Sequence, residues 1–210
     1  MRRREFLAAL GAMAVEVRYP LVEPQRGLSF PRDHGAHPDY RIEWWYLTGW
    51  LRSARAAALG FQVTFFRTRP PFDSSNPSRL APRQILLAHA ALADPALGRL
   101  RHDQRAARAA LGLAGVREET TGVWIDDWRL VLEGGRYATR IAAQGFTLDL
   151  ELEASAAPLA QGDAGYSRKG RGAGEASYYY SRPRLAVRGV VDRGNGGETV
   201  SGSAWLDHEW

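Results

Sequence analysis

Residues Phe30–Leu51 read FPRDHGAHPDYRIEWWYLTGWL and guide the interpretation of the whole chain. This run places histidines and carboxylates beside three tryptophans and two tyrosines. Large aromatic side chains exclude water, and an ionisable group in a dry environment changes its protonation. Such clusters are candidate functional sites, although structural packing also produces them.

The second half of this run predicts a β-strand, Arg41–Leu51. Because side chains alternate between the two faces of a strand, Glu43 and Trp45 share one face. Trp44 and Tyr46 share the other. Two interpretations stay open: a Trp-rich strand that plugs a barrel end, with Glu43 hydrogen-bonded there, or an aromatic-lined cavity with Glu43 as its one charge. In the second interpretation all four residues contact the substrate.

Eight segments show the alternation or the aromatic and β-branched content of strands, and Gly, Pro and Ser punctuate them. They are Arg41–Leu51, Ala57–Thr68, Arg83–Leu92, Val123–Leu132, Arg136–Ala143, Phe146–Ala154, Ser177–Val191 and Thr199–Trp210. Arg69–Pro82 and Pro158–Glu175 are predicted to be loops. Arg101–Leu111, rich in Ala and Arg, is predicted to be the only helix.

Antiparallel strands with short connections and almost no helix predict an all-β barrel or sandwich. Hydrophobic residues make up 45% of the chain, which is enough for a buried core. A barrel of about eight strands can enclose one small apolar ligand. A small apolar ligand or substrate is therefore the expected partner.

The composition excludes several classes of function. The 210-residue chain has 28 Lys+Arg against 23 Asp+Glu, a surplus too small and too scattered for nucleic-acid binding. A mildly basic face is compatible with peripheral contact with an anionic membrane. The chain has no cysteine, which excludes disulfides, thiol nucleophiles and Cys-based zinc sites.

The N-terminus has the features of an export signal. Residues 3–7, RREFL, match the twin-arginine pattern, and AMA at residues 12–14 resembles a cleavage site. Residues 1–15 are therefore predicted to be a twin-arginine signal segment, and the protein is predicted to be exported to the periplasm. The apolar run in this segment is too short to span a bilayer.

The last ten residues, SGSAWLDHEW, again combine carboxylates, a histidine and tryptophans. On a strand, His208 and Trp210 share one face, and Asp207 and Glu209 share the opposite one. If the first face is internal, His208 can act as an acid–base group, and the Trp210 ring can stabilise a developing cation. The alternative is a core histidine that bonds the backbone.

The loop Asp33–Asp39 contains two histidines flanked by carboxylates, which could ligate a metal. However, Gly35 and Pro38 mark it as irregular, and Asp and Gly are common in ordinary turns. We therefore predict no metal.

Five runs together resemble the hydroxyneurosporene synthase family, whose members are also called carotenoid 1,2-hydratases or AttH-like proteins. They are FPRDHGAHPDYRIEWWYLTGWL, GFQVTFFR, LAHAALAD, YYYSRPRLAVRG and SGSAWLDHEW. The similarity extends from about Leu21 to Trp210, and the Glu-Trp-Trp-Tyr and Asp-His-Glu-Trp blocks are its specific parts.

The resemblance implies an all-β fold of two consecutive lipocalin-like (calycin-type) antiparallel barrels. Residues 21–192 would form the first barrel and residues 193–210 the start of the second, so the chain is expected to be truncated. The family reaction adds water to the terminal double bond of an acyclic carotenoid without a cofactor. His208 and Trp210 match its active-site His-x-Trp, whereas its Tyr and Asp, the latter the proton donor, would lie beyond Trp210.

Two functions follow as expectations. The first is a cofactor-independent hydratase that acts on a double bond of an apolar, carotenoid-like isoprenoid. The second is a non-catalytic lipocalin-like carrier of a lipophilic ligand, or an exported surface-interaction protein. An acid located shortly after Trp210 would favour the hydratase.

Overall fold

The computed structural model describes residues 18–55, 58–71, 76–172 and 174–210. These residues form thirteen β-strands and two short 3₁₀ turns, Arg32–His34 and Pro95–Leu97. The strands are β1 Ile42–Arg52, β2 Leu59–Thr68, β3 Ile85–Asp94, β4 Arg99–Arg108, β5 Ala114–Val116, β6 Gly122–Ile125, β7 Trp128–Glu133, β8 Arg136–Ala143, β9 Phe146–Ala154, β10 Leu159–Ala160, β11 Tyr166–Arg168, β12 Ala176–Asp192 and β13 Gly197–Glu209.

The strands form one antiparallel sheet that curls into a nearly closed barrel. Their order is β4-β3-β2-β1-β13-β12-β9-β8-β7-β6-β5, and the short β10 and β11 pair with β12. Side chains of the edge strand β4 reach across the barrel: Arg105 donates to the Ala142 carbonyl of β8 at 3.1 Å, and Asp103 accepts from the Gln144 amide, just after β8, at 2.9 Å. The predicted all-β, lipocalin-like barrel is confirmed.

Strand alternation builds the core. In β9, Phe146, Leu148, Leu150 and Leu152 are buried and alternate with exposed polar residues. The inward side chains of the other long strands join them in one hydrophobic cluster. Because each buried side chain of this size contributes about 1.5–3 kcal/mol, this cluster is the main source of stability.

The helix predicted at Arg101–Leu111 is wrong. This segment lies mostly in β4, which pairs with β3 along its whole length. Arg101, Asp103 and Arg105 are half-buried, and the residues between them are exposed. The helix propensity of Ala and Arg is worth a few tenths of a kcal/mol per residue, and pairing with β3 outweighs it.

Two further segment predictions need correction. Val123–Leu132 is not one strand, because a tight turn at Asp126 (φ 54°) divides it into β6 and β7. Aspartate tolerates this left-handed conformation better than most residues. Pro158–Glu175 is not loop throughout, since β10 and β11 form within it by pairing with β12.

Residues 193–210 belong to the barrel described here. We predicted that they begin a second barrel, but β13 lies between β1 and β12 and bonds to both. The predicted signal segment, residues 1–15, lies outside the described residues, and export stays a prediction. Within the described residues, none of the helices has the length and apolar character needed to cross a bilayer.

Candidate functional site

Four central strands bring a polar site together at one end of the barrel. Trp45 on β1 lies opposite His208 on β13, and His208 lies opposite Tyr180 on β12. One row nearer the end, Glu43 on β1 lies opposite Arg67 on β2. Inward alternation puts all five side chains on the same face of the sheet.

The Ser29–Tyr40 loop covers this end and adds two histidines. The buried Asp33 carboxylate anchors the loop by accepting the Ser29 amide at 2.7 Å. A Cβ atom at Gly35 would lie 1.8 Å from a backbone oxygen of the β5–β6 connection, so this close approach requires glycine. The anchored loop projects His34 and His37 into the site.

The Glu43 carboxylate lies at the centre and is fully buried. It accepts from His208 Nε2 at 2.8 Å, His37 Nδ1 at 2.9 Å, the His37 amide at 2.9 Å and Arg67 Nε at 2.9 Å. Burial alone would raise the pKa of Glu43, but hydrogen bonds from His208 and His37 and the charge of Arg67 outweigh it and lower the pKa. Glu43 is therefore a carboxylate anion that orients its neighbours.

Arg67 is the buried cation that balances Glu43. Its Nη1 donates to the Tyr40 carbonyl and to Gln84 Oε1, both at 2.9 Å, and its Nη2 donates to the His37 carbonyl at 2.9 Å. The guanidinium therefore ties β2 to the covering loop. A buried ion pair is tolerated only when its remaining donors and acceptors are satisfied in this way.

His208 lies in a chain of buried hydrogen bonds. The Tyr180 hydroxyl is 2.9 Å from His34 Nδ1 and 3.2 Å from His208 Nδ1, and His208 Nε2 faces Glu43. One proton arrangement satisfies every partner: His34 donates to Tyr180, Tyr180 donates to His208, and His208 donates to Glu43. The chain can therefore pass a proton between Tyr180 and Glu43 through a neutral imidazole.

Burial keeps His34, Tyr180 and His208 uncharged. It lowers the pKa of His208, although hydrogen bonding to Glu43 opposes the shift. Burial, followed by the charge of Arg182, lowers the pKa of His34 to about 4. Burial also raises the pKa of Tyr180 well above its usual value. A neutral histidine held by a carboxylate is a group that can accept a proton.

Aromatic rings enclose the imidazoles. The Trp45 ring stacks on His208 with centroids 4.8 Å apart. Trp210 stacks on His37 at 3.6 Å and lies 4.9 Å from His208. The predicted pairing of His208 and Trp210 on one face is therefore present in the structure, and their catalytic roles stay predictions.

The four residues predicted to bind substrate do not form one surface. Glu43 and Trp45 face the barrel interior, whereas Trp44 and Tyr46 point outwards and are half-buried. On the same outer face, Asp207 accepts from Tyr179 at 3.0 Å, as well as from Ser181 and Trp205. The alternation of a strand separates neighbouring residues in this way.

An outer cleft of about 780 Å³ lies beside the site. Ile42 and Trp44 line it, and Trp210 belongs both to this cleft and to the surroundings of His208. Four charged residues also line it: Arg41, Lys169, Glu175 and Glu209. Of these, Glu209 lies almost fully buried and accepts from Lys169 Nζ at 2.6 Å. Trp210 therefore connects the cleft with the buried histidine.

His37, Glu43 and His208 also have donor atoms within 4.8 Å of one another, a spacing that a metal ion could use. Here His37 and His208 direct their nitrogens at Glu43 Oε1 at hydrogen-bond distances, and the Arg67 guanidinium bonds the other oxygen. A second cation would repel Arg67. The donor set therefore fits a hydrogen-bonded cluster better than a metal site.

Sequence reasoning missed Tyr180 and Arg67. Tyr180 belongs to the run Tyr178-Tyr179-Tyr180, which also fits a half-buried strand, and nothing in the run marks its third ring. Arg67 could have been identified from the sequence, because it continues the inward alternation of Val63 and Phe65 in β2. A charged residue in a core-facing position calls for a buried partner.

Comparison with known proteins identifies the family and supports the fold. A family model described as AttH-like matches residues 21–210. A candidate AttH from Nitrosomonas europaea, solved at 2.00 Å resolution, is 49% identical with a TM-score of 0.82, and the match covers 91% of this chain and 57% of that one. No curated protein sequence was found to match.

Kievitone hydratase from Nectria haematococca has a TM-score of 0.64 at 10% identity, and the match covers 92% of this chain and 54% of that one. At this identity the likeness concerns the fold alone. The chain thus spans little more than half the length of either solved protein. On the match of the family model and the 49% identity, the chain belongs to the AttH-like family.

Proposed function

We propose that this chain forms part of a cofactor-independent hydratase that adds water to a double bond of an apolar, carotenoid-like isoprenoid. The observation that carries the proposal is the buried chain Tyr180–His208–Glu43, enclosed by Trp45 and Trp210. It combines a proton acceptor with aromatic surfaces in a barrel interior. An apolar setting with a few oriented polar groups is typical of ligand sites.

The chemistry divides into two proton transfers. A proton is added to an alkene carbon, which produces a carbocation, and water then adds to the cation and loses a proton. Tyr180 can pass its own proton to His208 as it takes the proton of the water. The resulting imidazolium is stabilised by Glu43, while the ring faces of Trp45 and Trp210 stabilise the cation.

The acid for the first step is a separate group. Glu43 does not fit this role, because its lowered pKa keeps it deprotonated. An acid that protonates an alkene must itself stay protonated in an apolar environment. We propose that an Asp beyond Trp210 supplies it, as the family resemblance implies.

The carrier function is favoured by one observation, the outer cleft. Apolar and aromatic side chains form most of its lining, and two of them, Leu21 and Ile42, are 61% and 49% exposed. Exposed apolar surface of this kind is suited to binding a lipophilic ligand without changing it.

A hydratase converts the bound alkene to an alcohol, whereas a carrier releases it unchanged. Full-length protein incubated with an acyclic isoprenoid alkene in oxygen-18-labelled water should yield a tertiary alcohol that carries the label, without added metal or nucleotide. Mass spectrometry measures the incorporation. If the bound alkene is recovered unchanged, the hydratase function is contradicted and the carrier function is supported.

A further inference from the structure

Arg182 is a positively charged side chain on the inner face of the barrel. It lies opposite the fully buried Leu206 and two residues after Tyr180, so it points to the same side of the sheet as the site. Its Nε is buried and has no hydrogen-bond partner. Among the described residues, no carboxylate lies within ion-pair distance of its guanidinium. A buried polar atom normally has a hydrogen-bond partner, so the unpaired Nε of this partly buried side chain is unusual.

Tyr137 is the second unsatisfied group. It lies on β8, and its side chain is fully buried. Its hydroxyl faces the hydroxyls of Tyr180 and Thr121, but within the described residues none of these groups completes a hydrogen bond of good geometry with it. The guanidinium carbon of Arg182 lies 5.9 Å from the centre of its ring. A buried hydroxyl without a partner costs about 1–3 kcal/mol, which a bound oxygen would recover.

The acids of the site are already occupied. Glu43 is held by Arg67 and the histidines, and Asp33 is held by Arg32 at 2.8 Å and by the loop. Burial and, after it, the positive charge of Arg182 lower the pKa of His34 to about 4. The charge of Arg182 therefore acts on groups inside the barrel. The carboxylates of the site are therefore bound to other groups, and none of them pairs with Arg182.

We propose that the Arg182 guanidinium and the Tyr137 hydroxyl bind the carboxylate of an otherwise apolar ligand. Arginine binds a carboxylate through charge-assisted hydrogen bonds, and a tyrosine hydroxyl can donate a further one. Arg182 is only partly buried, whereas Tyr137 is fully buried, so the ligand approaches past the guanidinium. This inference rests on the proposed function for the apolar part of the ligand, and it names the substrate class as amphiphilic acids.

The test uses two probes of the same chain length, oleate and oleyl alcohol, and full-length protein. Wild type should bind oleate at least about tenfold more tightly than the alcohol, the size expected of a charge-assisted contact. Arg182→Met should remove that preference by weakening oleate alone, and Tyr137→Phe should weaken oleate about threefold or more. Arg184→Met, at an exposed position two residues along the same strand, should bind both probes as wild type does.

Equal binding of the two probes by wild type, or unchanged oleate affinity in Arg182→Met, would overturn the inference. Thermal unfolding shows which variants are folded. If Arg182→Met does not fold, Tyr137→Phe decides, since it removes one oxygen only. The binding assay does not depend on turnover. A protein that prefers oleate but adds no water would therefore contradict the proposed hydratase activity and still support the carboxylate site.

Discussion

Glu43→Ala is expected to lower the free energy of unfolding by about 3–5 kcal/mol, because it leaves Arg67 as an unpaired charge in the barrel interior. Arg67 and Glu43 are both fully buried, and their ion pair is 2.9 Å long. Two histidine rings lose their acceptor as well. Chemical denaturation monitored by tryptophan fluorescence measures the loss.

Glu151→Ala is the matched control, since Glu151 forms its ion pair with Arg188 on the exposed surface. Its effect should be much smaller, because surface ion pairs are screened by water. Adding Arg67→Met to Glu43→Ala should restore part of the stability by removing the unpaired charge. If Glu43→Ala were no more harmful than Glu151→Ala, the central position of Glu43 would be wrong.

His208→Ala is expected to reduce turnover of the full-length protein about 10²–10⁴-fold, the usual contribution of a group that transfers a proton. The effect should appear per folded molecule, with the oxygen-18 assay as the measurement. His102→Ala removes an imidazole from the exposed side of β4 and should leave turnover unchanged.

Asp207→Asn distinguishes the two faces of β13. Asp207 bonds Tyr179, Ser181 and Trp205 on the outer side, so this change should affect stability more than turnover. If His208→Ala lowered stability and kept full turnover, His208 would be a core histidine. If a stable Asp207→Asn protein lost all turnover, the catalytic groups would lie on the outer face of β13.

Local alternation explains what could be predicted from the sequence. The period of two in Phe146–Ala154 identified β9, and the same rule put His208 and Trp210 together and apart from Asp207. The same rule correctly placed Glu43 and Trp45 on one face of β1 and Trp44 on the other. These relations depend only on the geometry of a single strand.

Contacts between distant segments could not be predicted in this way. His208 meets Glu43 across 165 positions, and Tyr180 meets His34 across 146. Strand register and the anchored loop create these contacts, and no local pattern encodes either one. The error at Arg101–Leu111 has a related cause, because pairing with β3 overrode helix propensity there.

The lowered histidine pKa values imply acid sensitivity. Between about pH 4 and 6.5 the His34 imidazole is protonated in the unfolded state and neutral in the folded state. Stability should therefore fall as the pH decreases through this range. His208 contributes in the same direction, because its pKa is also lowered.

Nitrogen-15 NMR of the histidine rings tests the arrangement at His208 most directly, with His208→Ala to assign its signals. Just below pH 6.5, the ordinary histidine pKa, the ring should be neutral, with its proton on Nε2 facing Glu43 and Nδ1 accepting from Tyr180. Tyr180→Phe should shift the Nδ1 signal and leave Nε2 protonated. An imidazolium at this pH, or a neutral ring with its proton on Nδ1, would contradict the proposed proton chain.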